Sequence, residues 1–391
     1  MRTQVGIVGA GPAGLFLSLL LQRAGIDCVV LEARSRDYVE NRVRAGVLEQ
    51  GTVSLMDELD VADRLHREGM PDPRLDIRFS GGIIHIDLPE LTPGKIVTIY
   101  GQQEVVKDLI AARLNRGGSI LFEAEASHLD GLTGERPTIH FKHEGAAKTL
   151  DCDIVAGCDG FHGVCRAAIP ENLLTVYDRI FPFGWLGILS ESKPFTEMSY
   201  SNHERGFSLA SKRSPTLSRL YVQCAVDEDL SGWSDRRIWD ELQLRLYAGA
   251  GELAEGPILQ RGVTPCRAYV AAPMRYGRMF LAGDAVHIVP PTGAKGLNLA
   301  VADIRVLSRA LIEFFRTGAT DRLDRYSDTC LKRVWKGVRY SNYMTSLLHR
   351  FDSHTPFERR VQQAELEYIA GSVAARTTIG ENYVGLPFEE D

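Results

Sequence analysis

Val5-Gly6-Ile7-Val8-Gly9-Ala10-Gly11-Pro12-Ala13-Gly14 is an apolar, β-prone run that breaks into glycines and then turns helical. That order is the dinucleotide fingerprint in its proper context. Gly9 makes the tight turn, Gly11 admits a pyrophosphate against the backbone, and Gly14, just after Ala13, lets helix pack closely on strand. The new helix turns its unpaired N–H groups and positive dipole end toward the phosphates. A second strand, Cys28-Val29-Val30-Leu31, ends on Glu32. This acid lies about 20 residues past the glycines, where a carboxylate accepts both hydroxyls of an adenosine ribose. Strand, helix, strand and acid together predict a Rossmann-like unit holding a dinucleotide.

Composition narrows the class. A chain of 391 residues buries a large core and suggests two or three domains. With 45 basic and 51 acidic residues and a net charge of -6, it carries no nucleic-acid footprint. Its seven cysteines are odd in number and include no C-x-x-C pair, which fits reduced thiols in a cytoplasmic protein. The apolar stretch at 14–21 is too short to span a bilayer, and the chain runs straight into its first strand, so neither membrane nor leader is expected. The histidines stand at no metal-ligand spacing, and no metal is expected.

Farther along, the basic segment from Arg34 through Tyr38 to Arg42-Val43-Arg44-Ala45-Gly46-Val47 puts Arg42 and Arg44 within reach of phosphate oxygens. Alternation at Leu75, Ile77 and Phe79, then Ile83, Ile84 and Ile86, predicts a hairpin turning at Ser80-Gly81-Gly82. A helix is expected over 103–115, and strands over 120–124, 138–141, 153–156, 198–200, 207–210 and 220–224. Met279-Phe280-Leu281-Ala282-Gly283-Asp284 repeats the strand-then-glycine pattern before a helix beginning near Leu297, and the chain from about 320 reads as helical. The fold class is therefore α/β with α+β insertions. A dinucleotide-binding domain in three parts (1–71, 99–180, 271–345) is interleaved with a β hairpin (72–98) and a β-sheet substrate domain (181–270), ahead of a C-terminal helical or interface region (346–391).

Three signatures stand in order: Gly9-x-Gly11-x-x-Gly14, Cys158-Asp159-Gly160 and Gly283-Asp284. Each alone is compatible with an ordinary turn. In this order, and with the longer stretches at 42–51, 183–187 and 287–298 and the tail around Tyr383, the chain resembles the single-component FAD-dependent aromatic hydroxylases over essentially its whole length. The resemblance implies bound FAD, NADPH or NADH as reductant, O₂ as co-substrate, a small aromatic acid hydroxylated next to its phenol, and a homodimer. Other phenols or salicylate as substrate, or a flavin-dependent reductase or dehydrogenase, are the alternative readings.

The same resemblance assigns roles. Gly9, Gly11, Ala13, Gly14, Glu32, Arg42, Val43, Arg44, Ala45, Gly46, Val47, Gln102 and Asp159 would contact FAD. Asp284 would do so too, unless it only caps a turn, and the backbone at Leu297 and Asn298 would open a helix at the flavin ring. Arg213, with Ser211, Lys212 and Tyr221, would hold the substrate carboxylate. At the other end of the ring Tyr200 would bond the phenol, Tyr383 would bond Tyr200, and the Pro291 carbonyl would accept from the substrate. Arg34, Tyr38, Arg42, Arg44, Arg267 and His162 would meet the nicotinamide coenzyme, His162 serving equally well as a turn residue. The chain departs from the family twice. Ala33-Arg34 replaces an Arg-Gln pair, which suggests relaxed coenzyme selectivity with NADH accepted. Asp72 stands where the family carries the histidine that ends a proton relay at solvent.

Overall fold

All four residues of the strand Val5–Val8 are buried, because the strand lies in the middle of a six-stranded sheet with helices on its faces. The computed structural model describes residues 1–43, 46–247 and 252–388. Cys28–Leu31 pairs parallel on one side of the first strand and Ile154–Gly157 on the other. Ser119–Leu121 and Met279–Leu281 extend the sheet outward in parallel, and Arg275–Tyr276 closes one edge antiparallel. The chain thus builds one side first and returns later to the other. The carboxyl end of Val5–Val8 becomes the topological switch point, the crevice where such sheets hold ligands.

The helix Pro12–Arg23 starts there, with proline in its first turn and Gly11 as an N-cap that makes no side-chain bond. Gly9 has φ +103°, and a β-carbon on it would lie 2.3 Å from the Cys158 carbonyl oxygen. A β-carbon on Gly14 would lie 2.0 Å from the Gly9 oxygen, so helix and strand touch at backbone distance. Both glycines are obligatory here on steric grounds.

An eight-stranded sheet stands beside this unit. Its order runs His287–Ile288, Ile258–Ala272, Thr175–Ser190, Ser218–Cys224, Ser208–Lys212, Met198–Ser201, Arg74–Phe79 and Gly82–Asp87. The hairpin Arg74–Phe79/Gly82–Asp87 joins it through a parallel pairing with Met198–Ser201. Two of its strands are far longer than the short strands expected from sequence, at 16 residues for Thr175–Ser190 and 15 for Ile258–Ala272. A register shift between Ile180 and Gly184 bends this pair. One face packs Leu186, Ile188, Leu220 and Val222 against Ile238, Trp239, Leu242 and Leu246 of the helix Asp235–Tyr247. Trp185, Tyr200 and Leu209 join the cluster that holds Tyr340, from the helix Asp321–Leu348, and Tyr383, from Val373–Val384.

Two small sheets complete the β structure. Val47–Leu48, Val97–Ile99 and Met70–Asp72 form one, and Glu125–Asp130, Thr138–His143 and Ala146–Asp151 the other. Gly296–Thr317 and Pro356–Gly371, the latter started by a Thr355/Glu358 capping box, are the other long C-terminal helices. Among the described residues no helix is long and apolar enough to cross a membrane.

Candidate active site

The three signatures, far apart in sequence, meet at the switch point. Gly9 touches the backbone of Cys158 and Asp159. The position of a β-carbon on Gly283 lies 3.1 Å from Ala300 Cβ and 3.6 Å from Ala13 Cβ, so the Gly283-Asp284 turn is wedged between the starts of two helices. Neither helix start is closed by a side chain, at Gly11 or at Lys295, so first-turn N–H groups including those of Leu297 and Asn298 remain for a ligand. A β-carbon on Gly11 would meet nothing within 4 Å, leaving open space beside the backbone. Glu32 accepts from the Ala10 and Arg34 N–H groups, each at 2.8 Å, which fixes the carboxylate and leaves lone pairs for a ribose. Asp159 accepts from Cys165 N at 2.9 Å while its Oδ1 is buried without a partner, and burial raises its pKa. Two convergent helix N-termini, an open glycine and an orphaned carboxylate oxygen fit the phosphates and ribose of FAD.

Other cofactor candidates fall around this cradle in distinct ways. Gln102 opens the helix Gln102–Asn115, and Gly46 packs on the Tyr100 carbonyl, where a β-carbon would lie 2.6 Å away. Asn298 spends its side chain on the protein. Its oxygen accepts from Glu49 N (3.0 Å) and Thr52 Oγ1 (2.8 Å), and its amide donates to Val47 O (3.0 Å) and Ala294 O (3.1 Å). It therefore ties the 47–52 segment to the helix start, and only its backbone faces a ligand. Arg42 and Val43 are described, whereas Arg44 and Ala45 lie outside the described residues.

A second group gathers on the eight-stranded sheet. Cross-strand register sets Tyr200 opposite Leu209, Leu209 opposite Tyr221 and Tyr221 opposite Gly187. Tyr200 and Tyr221 are two strand steps apart, roughly 10 Å at about 4.8 Å per step, the span of a benzoate with a polar group at each end. Arg213 Nη1 donates to Ser211 Oγ (3.0 Å) and Lys212 O (3.2 Å), while its Nε is buried with no partner. Arg219 Nε donates to Tyr221 Oη at 3.1 Å, with its guanidinium 5.1 Å from that ring's centre. Burial lowers the Arg213 pKa. Burial pushes Tyr221 up, but Arg219 and Arg213 pull it down further and leave it below its ordinary value. Among the described residues no carboxylate pairs with Arg213 or Arg219. A half-buried cationic corner of this kind suits an anion. Lys212 lies apart from this group, with Nζ donating to Pro71 O and Thr196 O, each at 3.0 Å, and 3.8 Å from Asp72.

At the opposite end Tyr200 is buried, and its hydroxyl donates to Thr292 O at 3.0 Å, not to Tyr383. The Tyr200 and Tyr383 hydroxyls lie close enough for each to bear on the other's ionisation, yet Tyr383 Oη meets no partner at hydrogen-bonding geometry. Burial drives both phenols above their ordinary pKa. The Pro291 carbonyl closes its own turn by accepting from Ala294 N at 3.0 Å and keeps one lone pair. Asp72 is not at solvent. It is 1% exposed, accepts from Met198 N at 3.2 Å and leaves Oδ1 without a hydrogen bond. Burial pushes its pKa up to about 7 against the pull of Lys212.

Sequence reasoning missed the supports behind these groups. Trp185 Nε1 donates to His349 Nε2 at 2.7 Å, and His349 Nδ1 meets Thr345 O at 3.0 Å. Burial pushes His349 down to about 3, so it is neutral with its proton on Nδ1. Thr345 Oγ1 donates to Ser341 O (2.7 Å), so it accepts from Thr292 Oγ1 (2.9 Å) and steadies the carbonyl that holds Tyr200. Buried Lys295 bonds Glu49 (2.6 Å) and the Tyr383 carbonyl (3.1 Å), which anchors Tyr383 by its backbone. Arg219 was legible in principle, because it stands two residues before Tyr221 on one strand and so shares its face.

Two stacks gather the coenzyme candidates. The Tyr38 ring meets the guanidinium groups of both Arg34 (5.7 Å) and Arg42 (5.6 Å). Phe161 is edge-on to His162 and carries Arg267 at 4.5 Å, itself paired with Asp178. The fold also assembles one group with no pattern in the sequence, His128, Asp130 and His140, whose ligand atoms lie within 4.8 Å of one another. Strand pairing, which local spacing does not reveal, creates it.

Residues 2–341 match the family described as FAD binding domain. The chain is 47% identical over 391 residues to a p-hydroxybenzoate hydroxylase of Acinetobacter baylyi, covering 100% of this chain and 96% of that protein. It is 28% identical to a para-nitrophenol 4-monooxygenase of a Pseudomonas species, over 83% and 81% of the two chains. The crystal structure of p-nitrophenol 4-monooxygenase from Pseudomonas putida superposes with a TM-score of 0.85 at 21% identity, covering 99% of each chain.

Proposed function

This chain belongs to the FAD-dependent aromatic hydroxylases, the family of p-hydroxybenzoate hydroxylase, and we propose that it hydroxylates 4-hydroxybenzoate at C3 to give 3,4-dihydroxybenzoate. NADPH or NADH is the reductant and O₂ the co-substrate. The observation that carries the substrate is the cationic corner of Arg213 and Arg219 at Tyr221, two strand steps from Tyr200.

Bound FAD supplies the electron transfer and oxygen activation, and the protein supplies position, charge and exclusion of water. Gly9, Gly11, Gly14, Glu32, Asp159 and the Gly283-Asp284 turn hold its phosphates and ribose. The uncapped start of Gly296–Thr317 would turn its free N–H groups and positive dipole end toward the flavin ring. Arg213 grips the substrate carboxylate through parallel N–H bonds, helped by Ser211 and Tyr221. For the phenolic proton to leave, Tyr200 accepts it while releasing its own O–H from Thr292 O toward Tyr383, and its new O–H then donates to the electron-rich phenolate that aromatic oxygenation needs. Tyr383 and Asp72 stand behind it. With a pKa of about 7, Asp72 takes up the displaced proton near neutrality. The Arg34/Tyr38/Arg42 and Phe161/His162/Arg267 stacks receive the nicotinamide coenzyme, with NADH accepted.

Segments 1–71, 99–180 and 271–345 form the FAD domain, 72–98 and 181–270 the substrate domain, and 346–391 an interface region. Exposed Phe357, Val361, Tyr368 and Val373 in that last region support a homodimer, and seven free cysteines support a cytoplasmic enzyme.

The test is purified flavoprotein given NADH or NADPH with and without 4-hydroxybenzoate, following O₂ uptake and separating products by chromatography. Stimulated coenzyme oxidation with a 3,4-dihydroxybenzoate peak is expected. A reducible flavoprotein that yields no such peak overturns the substrate assignment.

A further inference from the structure

The sheet of Glu125–Asp130, Thr138–His143 and Ala146–Asp151 buries Ile139, Phe141 and Leu150 on one face and leaves the other to solvent. On that open face His128 and Asp130 are two residues apart on one strand, and His140 is the register partner of His128 across the pair. The imidazoles stack at 4.0 Å with an interplanar angle of 11°. Asp130 Oδ2 lies 2.9 Å from His140 Nε2 and 3.8 Å from His128 Nε2.

Ser127, the extra residue at the register shift, donates its hydroxyl to His140 O at 3.2 Å. The same oxygen lies 3.1 Å from His128 Nδ1 and so orients that ring. Its Nε2 faces the Asp130 carboxylate. One ligand atom from each of the three side chains lies within 4.8 Å of the others, close enough for a single ion to meet all three.

We propose that His128, Asp130 and His140 form a divalent-cation site of the zinc class, separate from the flavin and substrate groups. Two imidazole nitrogens and one carboxylate oxygen suit Zn²⁺ and its borderline neighbours and do not suit Mg²⁺ or Ca²⁺, which demand oxygen shells. Ser127 holds the His128 ring as an outer-shell partner. Water completes the coordination. The bound ion clips strand Glu125–Asp130 to Thr138–His143 and stabilises the folded protein by mass action.

The experiment uses metal-stripped, flavin-loaded protein titrated with Zn²⁺ against a colorimetric chelator, with thermal melts in parallel. Wild type is expected to take one equivalent per chain and to melt higher with Zn²⁺ than with Mg²⁺. His128→Gln and His140→Gln, both on an open face, should each lose that equivalent and the melting shift while keeping wild-type flavin content. Failure of wild type to bind a saturable equivalent overturns the proposal. So does an equivalent that persists in the His128→Gln/His140→Gln double variant.

Discussion

Replacing Arg213 by methionine should weaken substrate binding and, in the ligand-free protein, raise stability. The guanidinium is half-buried, with one hydroxyl and one carbonyl accepting from it, the Tyr221 hydroxyl beside it, an orphaned Nε, a neighbouring cation in Arg219 and, among the described residues, no carboxylate. It is thus a charge desolvated for the ligand's benefit. Removing one member of a buried, hydrogen-bonded charge pair costs about 2–5 kcal/mol, and at 1.4 kcal/mol per decade that is roughly 30- to 4,000-fold in Kd. Replacing buried ionic groups by apolar side chains of similar volume gains on the order of 1–4 kcal/mol, of which the lower half suits a cation that keeps two hydrogen bonds. For 391 residues the unfolding entropy is about 0.8 kcal/mol/K, so a gain of ~1–2 kcal/mol lifts Tm by ~1–3 °C. Quenching of flavin fluorescence by 4-hydroxybenzoate gives Kd, and melts with and without the ligand give the rest. The substrate should raise the wild-type Tm and leave the variant's unchanged. Unaltered affinity would refute the carboxylate role. A ligand-free Tm several degrees below wild type would show instead that the guanidinium serves the fold.

Tyr200→Phe should bind substrate nearly as well but hydroxylate slowly with more peroxide released, and Tyr383→Phe should show a milder form. A substrate phenol pKa identical in wild type and Tyr200→Phe, read by absorbance titration, would sink the role given to Tyr200 even if activity fell. Burial holds the pKa of Asp72 at about 7 in the folded protein against an ordinary 3.8, so the native state holds the extra proton between those values. Stability from this group is therefore lost as pH rises from about 4 to 7 and is flat above. The full span is on the order of 4 kcal/mol. In Asp72→Asn that slope should flatten in denaturant titrations at pH 5 and 8, and an unchanged slope would rule the group out. Gly9→Ala should yield protein without flavin, because the new methyl meets the Cys158 carbonyl at 2.3 Å with φ at +103°. A normal ratio of flavin to protein absorbance would contradict that.

The dinucleotide half was legible because its code is local. Gly9, Gly11 and Gly14 declare a turn, an approach and a packing contact within one strand–helix junction. Thr175–Ser190 was not legible as one strand. Its first six residues are exposed on both faces, the next are mostly buried, and the bend near Ile180 breaks any period of two. Lys212 reads as part of a basic turn, yet reaches Pro71 because the parallel pairing of Met198–Ser201 with the hairpin brings that segment alongside. Asp72 was expected at water and lies inside for the same tertiary reason. The Trp185–His349–Thr345–Thr292 support joins residues more than 100 positions apart, and no local pattern announces it.

The eight-stranded sheet draws on three separated stretches of chain, 74–87, 175–272 and 287–288, and the chain returns to the six-stranded sheet between them. Such a molecule has no seam. Neither half can be excised, fused to a foreign partner or exchanged with a relative's at a single junction without cutting the other. Loss of flavin fluorescence quenching and loss of sheet ellipticity should accordingly coincide in one transition. New substrate preferences must then come from substitutions inside the existing rows, at positions such as Leu209 and Gly187 between and beside the two tyrosines, because recombination of modules has nowhere to act.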